Sequence, residues 1–164
     1  MTNMLTNRGE DLAELSDGGP VMLVFLRHFG CTFCRESLVE LSKLKAEARE
    51  KAVKIVLVHM SHPSYAQEIL KIYELDEVSH ISDPNQELYR KYGLRRGGFW
   101  QLFGLPVVVR GFWAGLMKGH LPGKVVADPY QMPGVFILKK NKVTSSFIHR
   151  FASDQPQYRE LLNC

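Results

Sequence analysis

The sequence predicts an α/β fold, because the patterns of buried strands and amphipathic helices alternate along the chain. The apolar run at residues 21–26 is typical of a strand that is covered on both faces. Apolar residues then recur at helical spacing, at Leu38, Leu41, Leu44 and Ala48. A second apolar run follows at residues 53–58. A strand, a helix and a second strand in this order form a right-handed unit with parallel strands, so we expect a central sheet with helices on both faces.

Three further elements are predicted before residue 94. They are a helix at 63–74, a short strand at 79–81 that ends at the Ser-Asp-Pro of 82–84, and a helix at 85–92. Asp83 stands before Pro84 at the start of the last of these helices, where a carboxylate can accept hydrogen bonds from free backbone N–H groups. Gly93 is typical of the residue that ends such a helix.

In the last part of the chain, two strand-like runs around a polar turn predict an antiparallel hairpin, with strands at 135–138 and 143–149 and a turn around 140–142. A terminal helix is predicted near residues 155–162. The hairpin makes the expected sheet a mixed one. The segment at about 94–130 is then an insertion before the hairpin.

The size and charge of the chain set further limits. At 164 residues it can bury about 70% of its unfolded surface, so we expect one domain over residues 1–164, with a polar N-terminal extension at 1–19. The net charge of +4 is mild and the lysines are dispersed, so nucleic-acid binding is not expected. The polar N-terminus is unlike a signal peptide, which predicts a cytoplasmic location.

Cys31 and Cys34 stand between the first strand and the helix that follows it. A helix that begins near Thr32 directs its free backbone N–H groups and the positive end of its dipole at Cys31, and Cys34 lies one turn further on. Both features favour a thiolate, since a cysteine of a Cys-x-x-Cys pair at a helix N-terminus can have its pKa lowered from about 8.5 to roughly 3.5–7.5. The pair therefore predicts reversible thiol–disulfide chemistry.

Two other roles are open to such a pair. A structural zinc site needs four ligands, but His28 is the only candidate near the pair, and the third cysteine, Cys164, is the last residue. A structural disulfide across two residues closes a very short loop and removes little chain entropy. Redox chemistry is therefore favoured, and neither a metal nor an organic cofactor is expected. His59 and His62, at the end of the second strand, are kept as further site candidates.

The order of elements around the cysteine pair resembles the thioredoxin fold. Residues 25–36, Phe-Leu-Arg-His-Phe-Gly-Cys-Thr-Phe-Cys-Arg-Glu, are similar to the peroxiredoxin-like branch of the AhpC/TSA family, and the stretches 81–93 and 134–138 support the resemblance. It covers roughly residues 18–162. It implies an antioxidant oxidoreductase that uses the Cys-x-x-Cys pair to reduce a disulfide or a peroxide, with electrons from a thioredoxin- or glutathione-type reductant.

The match to the peroxiredoxin motif Pro-x-x-x-Thr-x-x-Cys is partial. The family's cysteine falls on Cys34, but Arg27 stands at the proline position and Cys31 at the threonine position, and the family's later arginine falls near Pro133. The second thiol and the proline before the late strand resemble thioredoxin instead, which implies a cis X-Pro bond at Pro133 that faces the dithiol. A trans proline that opens a strand is the alternative.

The two resemblances imply different nucleophiles. If the chain acts like thioredoxin, Cys31 attacks a substrate disulfide and Cys34 resolves the mixed disulfide. If it acts like a peroxiredoxin, Cys34 attacks a peroxide and Cys31 resolves the sulfenic acid. Helix geometry favours Cys31, whereas the family motif favours Cys34. The candidates for stabilising the thiolate or binding substrate are Arg27, His28, Thr32, Phe33, Arg35, Met132 and Pro133. A surface role for Arg35 and a packed imidazole for His28 are the alternatives.

The insertion at about 94–130 holds both tryptophans and several other aromatic residues. Gln101, Pro106 and Arg110 interrupt its apolar stretch, so no transmembrane segment is expected. Its aromatic residues can pack on the domain's own core, form an apolar wall beside the dithiol, or form a dimer or membrane-surface patch. The residues of the hypothesised wall are Phe99, Trp100, Phe112 and Trp113.

Two classes of function remain open at this stage. The first is the enzyme just described. The second is a redox sensor or adaptor without turnover, in which the state of the Cys31–Cys34 pair controls the binding of a partner. A homodimer is compatible with either. Cys164, which lies beyond the last predicted helix, is expected to be a mobile tail group.

Overall fold

Five strands form one mixed sheet in the order β3-β2-β1-β4-β5. The computed structural model describes residues 5–98, 100–101, 104–105, 107–110, 113 and 128–163. The strands are β1 (Val21–Phe25), β2 (Lys54–His59), β3 (Ser79–Ser82), β4 (Gly134–Lys139) and β5 (Lys142–Ile148). Strands β1, β2 and β3 are parallel, whereas β4 runs antiparallel to both β1 and β5. This sheet confirms the predicted α/β class.

Helices pack on both faces of the sheet, as predicted. The helices are α1 (Leu12–Gly18), α2 (Thr32–Glu50), α3 (Pro63–Ile72), α4 (Glu87–Lys91) and α5 (Tyr158–Leu161). Helices α2, α3 and α5 contribute to the core on one face, and α1 and α4 to the core on the other. Within the described part of the chain, no helix is long and apolar enough to cross a membrane.

Alternate residues of β1 divide the buried core into two layers, because successive side chains of a strand point to opposite faces. Met22 and Val24 belong to the layer beneath α2 and α3, whereas Leu23 and Phe25 belong to the layer beneath α1 and α4. Cys31 and Cys34 are part of the first layer. The dithiol therefore lies at the end of the central strand and on its α2 face.

Helix α1 lies in the polar N-terminal extension, where the sequence analysis predicts no element. Asp11 caps it by accepting hydrogen bonds from the backbone N–H groups of Ala13 (2.8 Å) and Glu14 (3.3 Å). Leu12 and Leu15 are buried against the sheet. Two leucines in seven residues are too few to establish a helical period, which is why the sequence does not reveal this helix.

Asp83 caps α4, as the sequence predicts. Its carboxylate accepts hydrogen bonds from the backbone N–H groups of Glu87 (2.9 Å), Leu88 (2.8 Å) and Tyr89 (3.4 Å). The cap fixes the start of this short helix and with it the position of Tyr89, which is completely buried.

Candidate active site

The cysteine pair lies where the chain leaves β1 and enters α2. Cys31 is the N-cap residue of α2 and has an extended backbone (φ −76°, ψ 126°), while Cys34 lies in the first turn of the helix. Helix α2 begins at Thr32, as predicted. Both described cysteines are free thiols, with residue exposures of only 5% for Cys31 and 3% for Cys34. In this conformation neither sulfur is open to a large partner.

Arg27 contacts both sulfurs. Its guanidinium Nη2 donates a hydrogen bond to Cys31 Sγ over 3.2 Å, and its backbone N–H donates to Cys34 Sγ over 3.3 Å. The Nε and Nη1 atoms of the same side chain are buried and have no hydrogen-bond partner within the described residues. A buried donor without a partner is costly, so the N–H groups of these two nitrogen atoms are unsatisfied polar groups close to the dithiol.

The surroundings of the two thiols separate their pKa values. The pKa of Cys31 is lowered to about 6, first by the hydrogen bond from the Cys34 thiol and also by the charge of Arg27, while burial opposes the shift. The pKa of Cys34 is raised, because its thiol donates to Cys31 and because it is buried. These surroundings therefore favour the thiolate form at Cys31 over Cys34.

Tyr89 holds the end of β1 in place just before Arg27. Its hydroxyl lies within hydrogen-bond distance of the carbonyl oxygens of Leu26 (2.5 Å) and Val58 (3.1 Å). The contact joins α4 to the ends of the two central parallel strands. The carbonyl of Leu26 and the N–H of Arg27 belong to the same peptide group, so this contact also fixes the N–H that donates to Cys34. The sequence gives no sign of this role for a tyrosine in a predicted helix.

The turn between Arg27 and Cys31 is held from the α2 side. Arg35 Nε donates to the carbonyl oxygen of Phe29 over 3.0 Å, so Arg35 supports the turn while Arg27 contacts the sulfur. His28 is buried in this turn, and its pKa is lowered to about 4 by burial and then by the charge of Arg27. Its ring is thus neutral at pH 7, and its Nδ1 atom has no partner within the described residues.

The two residues between the cysteines differ in their surroundings. Thr32 is half-buried, whereas Phe33 is buried. The carbonyl oxygen of Phe33 accepts hydrogen bonds from Ser37 Oγ and from Gln155 Nε2, each over 3.0 Å. Gln155 thus ties the C-terminal segment to the first turn of α2.

A small, mainly apolar cavity lies beside the dithiol. Both cysteines line it, together with Pro133, His149, Ala152 and Tyr158. Pro133 therefore faces the dithiol, as the thioredoxin resemblance implies. The peptide bond before it is trans, however, so the expected cis bond is wrong. The N–H of Met132 donates to the carbonyl oxygen of Arg95 over 3.2 Å, so this backbone is paired within the chain and not left free for an extended substrate.

His149 is a residue of the cavity that the sequence analysis does not single out. Its ring packs edge-on against Phe147, with centroids 5.1 Å apart, and its Nδ1 atom is buried without a partner among the described residues. Burial lowers the pKa of His149 to about 4. It follows the last residue of β5, and the pairing of β5 with β4 brings it beside Pro133. Its position at the end of a predicted strand was the only sign available.

The insertion contacts α2 and the C-terminal segment through Arg110, and it contributes Val107 to the core. Val107 is buried in the same core layer as Cys31 and Cys34. Arg110 Nη2 lies 3.1 Å and 3.3 Å from the two carboxylate oxygens of Glu36, which is buried in α2, and Arg110 Nε donates to the carbonyl oxygen of Ser153 over 2.8 Å. These contacts anchor the insertion next to the cysteine pair.

The structure describes two of the four residues of the hypothesised aromatic wall. Phe99 and Phe112 lie outside the described residues, and Trp100 and Trp113 are exposed. The role of the wall therefore stays a prediction. Cys164 also lies outside the described residues.

The other histidine candidates are not among the residues that line the cavity. His59 Nε2 lies 2.9 Å from His80 Nδ1 in a buried pair, and His62 caps α3, its Nδ1 accepting from the backbone N–H of Ser64 over 3.4 Å. Over residues 5–98, 128–163 and the described positions between them, no three His, Cys, Asp or Glu side chains form a group that could hold a metal ion.

Comparison with protein families gives a match over most of the chain. The model of the AhpC/TSA family matches residues 5–145. Among curated proteins, Peroxiredoxin-like 2C of Mus musculus is 30% identical over 77 residues, which are 46% of this chain and 34% of that protein. Peroxiredoxin-like 2A of Xenopus tropicalis is 29% identical over 148 residues, which are 87% of this chain and 60% of that protein. The chain thus spans about a third of the length of the first relative and three fifths of the second.

Solved structures share the fold at low sequence identity. A mutant of Peroxiredoxin 6 of Arenicola marina superposes with a TM-score of 0.67 at 15% identity, covering 97% of this chain and 66% of that one. A peroxiredoxin-like protein from Aquifex aeolicus gives a TM-score of 0.63 at 16% identity, covering 98% of this chain and 78% of that one. These likenesses show the thioredoxin-like fold of this chain.

Proposed function

The chain belongs to the AhpC/TSA family, and we propose that it is a thiol peroxidase in which the Cys31 thiolate attacks the substrate. The observation that carries this proposal is the hydrogen bond from the Arg27 guanidinium to Cys31 Sγ, together with the lowered pKa of that thiol. A thiolate is the reactive form of cysteine, and only Cys31 is favoured as a thiolate here. The family motif, by contrast, places the attacking cysteine at Cys34. In this chain Cys34 is the protonated member of the pair.

The reaction uses the two thiols in sequence. The Cys31 thiolate attacks one oxygen of a hydroperoxide, the O–O bond breaks, and Cys31 becomes a sulfenic acid while the leaving alkoxide takes up a proton to form an alcohol. Cys34 then attacks the sulfenic sulfur and releases water, which leaves a disulfide between the two residues. Two thiols and one hydroperoxide thus give one disulfide, one alcohol and one water molecule.

The geometry favours a peroxide over a protein disulfide as substrate. A protein disulfide must bring two bulky chains in line with the attacking sulfur, and both sulfurs are nearly buried. A hydroperoxide group is small. The unpartnered Nε and Nη1 atoms of Arg27 offer two donors to the oxygen on which negative charge develops when the O–O bond breaks. Arg27 therefore both stabilises the thiolate and binds the substrate in this proposal.

The cycle closes when an external dithiol reduces the Cys31–Cys34 disulfide. A thioredoxin- or glutathione-type reductant supplies the two electrons by thiol–disulfide exchange. Thiols that cycle in this way need a reducing compartment, so we place the activity in the cytoplasm. Both cysteines belong to one chain, so the chemistry does not require a second copy, and a homodimer is compatible with it.

The test is to trap the sulfenic acid. In a Cys164→Ser background, the Cys34→Ser variant treated with one equivalent of hydrogen peroxide and dimedone should carry one adduct on Cys31, located by peptide mass spectrometry. The matched Cys31→Ser variant should carry little adduct. An adduct that forms on Cys34 in the Cys31→Ser variant and not on Cys31 in the other would reverse the assignment.

Turnover separates an enzyme from a sensor. The Cys164→Ser protein, supplied with a thioredoxin system and hydrogen peroxide, should oxidise many equivalents of reductant per molecule. A single oxidation of each molecule without further consumption of peroxide would indicate the redox sensor or adaptor instead.

A further inference from the structure

Three strands end in register at the dithiol end of the sheet. Gly134, the first residue of β4, pairs with the last residue of β1 and with the last residue of β5. The positions just beyond these three strand ends are Leu26, Pro133 and His149, so they lie in a row across this end of the sheet. All three line the small cavity beside the dithiol.

The side chain of His149 lies on the same face of the sheet as the dithiol. Phe147, two residues earlier in β5, packs against the core layer beneath α2, which includes Cys31 and Cys34. Side chains two positions apart along an extended chain point to the same face. Consistent with this alternation, His149 lines the cavity that both cysteines also line.

Packing alone does not account for an imidazole at this position. His149 is 7% exposed, and its Nδ1 atom has no hydrogen-bond partner among the described residues. The backbone groups of Pro133 and Asp154 lie near the ring, but neither gives Nδ1 a hydrogen bond. A buried polar atom without a partner is costly, and an apolar ring of the same shape would avoid that cost.

A second residue of the same cavity has unpartnered polar atoms. Of the described residues with such buried atoms, only Arg27 and His149 line the dithiol cavity. Ser37 and Gln155, which also line it, are already hydrogen-bonded to each other over 3.0 Å. The unsatisfied groups of the cavity wall thus come from two residues on different parts of the chain, one before α2 and one after β5.

These two residues complement each other as hydrogen-bonding groups. A guanidinium only donates, whereas a neutral imidazole accepts at the nitrogen that does not hold the proton. Burial lowers the pKa of His149 to about 4, so its ring is neutral at pH 7. A hydroperoxide group has one O–H that donates and oxygens that accept, so it requires one partner of each kind.

We propose that His149 is a substrate-binding residue, whose Nδ1 atom accepts a hydrogen bond from the O–H of the hydroperoxide while Arg27 donates to its oxygens. The two contacts hold the O–O bond beside the Cys31 sulfur, in the orientation that the attack requires. This inference rests on the peroxidase function proposed above and adds no bond-making step to it. His149 keeps the substrate in place and takes up no proton.

The rate at which hydrogen peroxide oxidises Cys31 tests the proposal. It is measured by dimedone trapping and peptide mass spectrometry in a Cys34→Ser/Cys164→Ser background. His149→Phe keeps an aromatic ring beside Phe147 but removes the nitrogen atoms, and it should slow the oxidation about tenfold. His149→Asn, whose amide oxygen can accept near the place of Nδ1, should retain more of the rate. His62→Phe makes the same change at an exposed histidine outside the cavity and should react like the background protein.

Two further measurements separate substrate binding from a structural role. Iodoacetamide labelling of Cys31 should be unchanged in His149→Phe, because this reagent does not need the hydrogen bond. The free energy of unfolding at pH 7, measured in urea, should be equal or higher, since an unpartnered buried atom is removed. Equal slowing of oxidation and labelling, or lower stability with an unchanged oxidation rate, would show that His149 is structural and overturn the proposal.

The same experiment distinguishes this inference from the proposed function. If the background protein is oxidised at Cys31 and His149→Phe reacts equally fast, the role of His149 is wrong and the peroxidase function stands. If hydrogen peroxide does not oxidise Cys31 in the background protein, the peroxidase function itself is wrong, and the role of His149 falls with it.

Discussion

The guanidinium of Arg27 donates a hydrogen bond to Cys31 Sγ over 3.2 Å, at the N-terminus of a helix of 19 residues. The backbone of the same arginine donates to Cys34 Sγ. One residue therefore contacts both members of the dithiol, but its positive charge lies nearest to Cys31. Arg27 occupies the position where the peroxiredoxin motif has proline, so the departure from the family pattern coincides with the group that favours Cys31 as nucleophile.

Replacing Arg27 should make Cys31 less reactive. In Arg27→Gln the thiolate loses an adjacent positive charge, and the pKa of Cys31 should rise by about one unit or more. Iodoacetamide labelling of Cys31 at pH 6.5 should then slow several-fold, measured by peptide mass spectrometry. Arg95→Gln, which changes an exposed arginine, is the control and should label at the parent rate. An unchanged rate in Arg27→Gln would show that the helix and Cys34 alone hold the thiolate.

The two cysteines should respond to pH in different ranges. Because the pKa of Cys31 is about 6, its labelling rate should rise with pH and reach half of its maximum near pH 6. The pKa of Cys34 is raised, so its labelling should remain slow at neutral pH. Quantitative alkylation from pH 4 to pH 9 in the Cys164→Ser background would measure both curves. Faster labelling of Cys34 at pH 7 would contradict the assignment.

Removing the Tyr89 hydroxyl should destabilise the fold and loosen the site. Tyr89→Phe leaves the carbonyl oxygens of Leu26 and Val58 without this donor in a buried place, which should lower the free energy of unfolding by about 1–3 kcal/mol. Urea denaturation measures the loss. Tyr92→Phe is the matched control, because its ring also packs on Phe25 but is only half-buried, and it should change stability by less.

The Arg110–Glu36 pair should hold the insertion to α2. Arg110→Met leaves the buried carboxylate of Glu36 without its arginine and should cost about 1–3 kcal/mol of unfolding free energy, allowing for the partial exposure of Arg110. A double-mutant cycle with Glu36→Gln isolates the pairwise energy. The same cycle on the exposed pair Lys43 and Glu40 should give less than about 1 kcal/mol. Equal coupling in both cycles would show that the insertion is held by other contacts.

Acid should destabilise the protein partly through His149. Its pKa is about 4 in the folded state against an ordinary value near 6.5, so the unfolded chain binds the proton first as the pH falls. Stability that is fully present above pH 6.5 is then lost as the pH falls toward 4, by on the order of 3 kcal/mol for this one group. His149→Phe should flatten the dependence of unfolding free energy on pH in that window, measured by urea denaturation. His62→Gln, at an exposed histidine, should leave the slope as it is.

The sequence alone was sufficient for the parts of the protein that depend on local pattern. The run at 21–26 and the spacing of Leu38, Leu41 and Leu44 predicted β1 and α2, because burial on a strand or on a helix face imposes a period on the apolar residues. The position of Cys31 before α2 predicted the dithiol at a helix N-terminus for the same local reason. Helix α1 was not predicted, because its seven residues carry too few apolar positions.

Only the tertiary structure decided how distant groups meet at the dithiol. Arg27 was one of seven candidate residues in the sequence, and the fold of the turn brought its guanidinium rather than that of Arg35 to the sulfur. Pro133 and His149 reach the cavity through the pairing of β4 with β1 and β5, which joins residues more than a hundred positions away from Cys31. Residue type and spacing report what a side chain can do. Contacts between residues far apart in the chain depend on how the sheet and helices pack, and no period in the sequence records them.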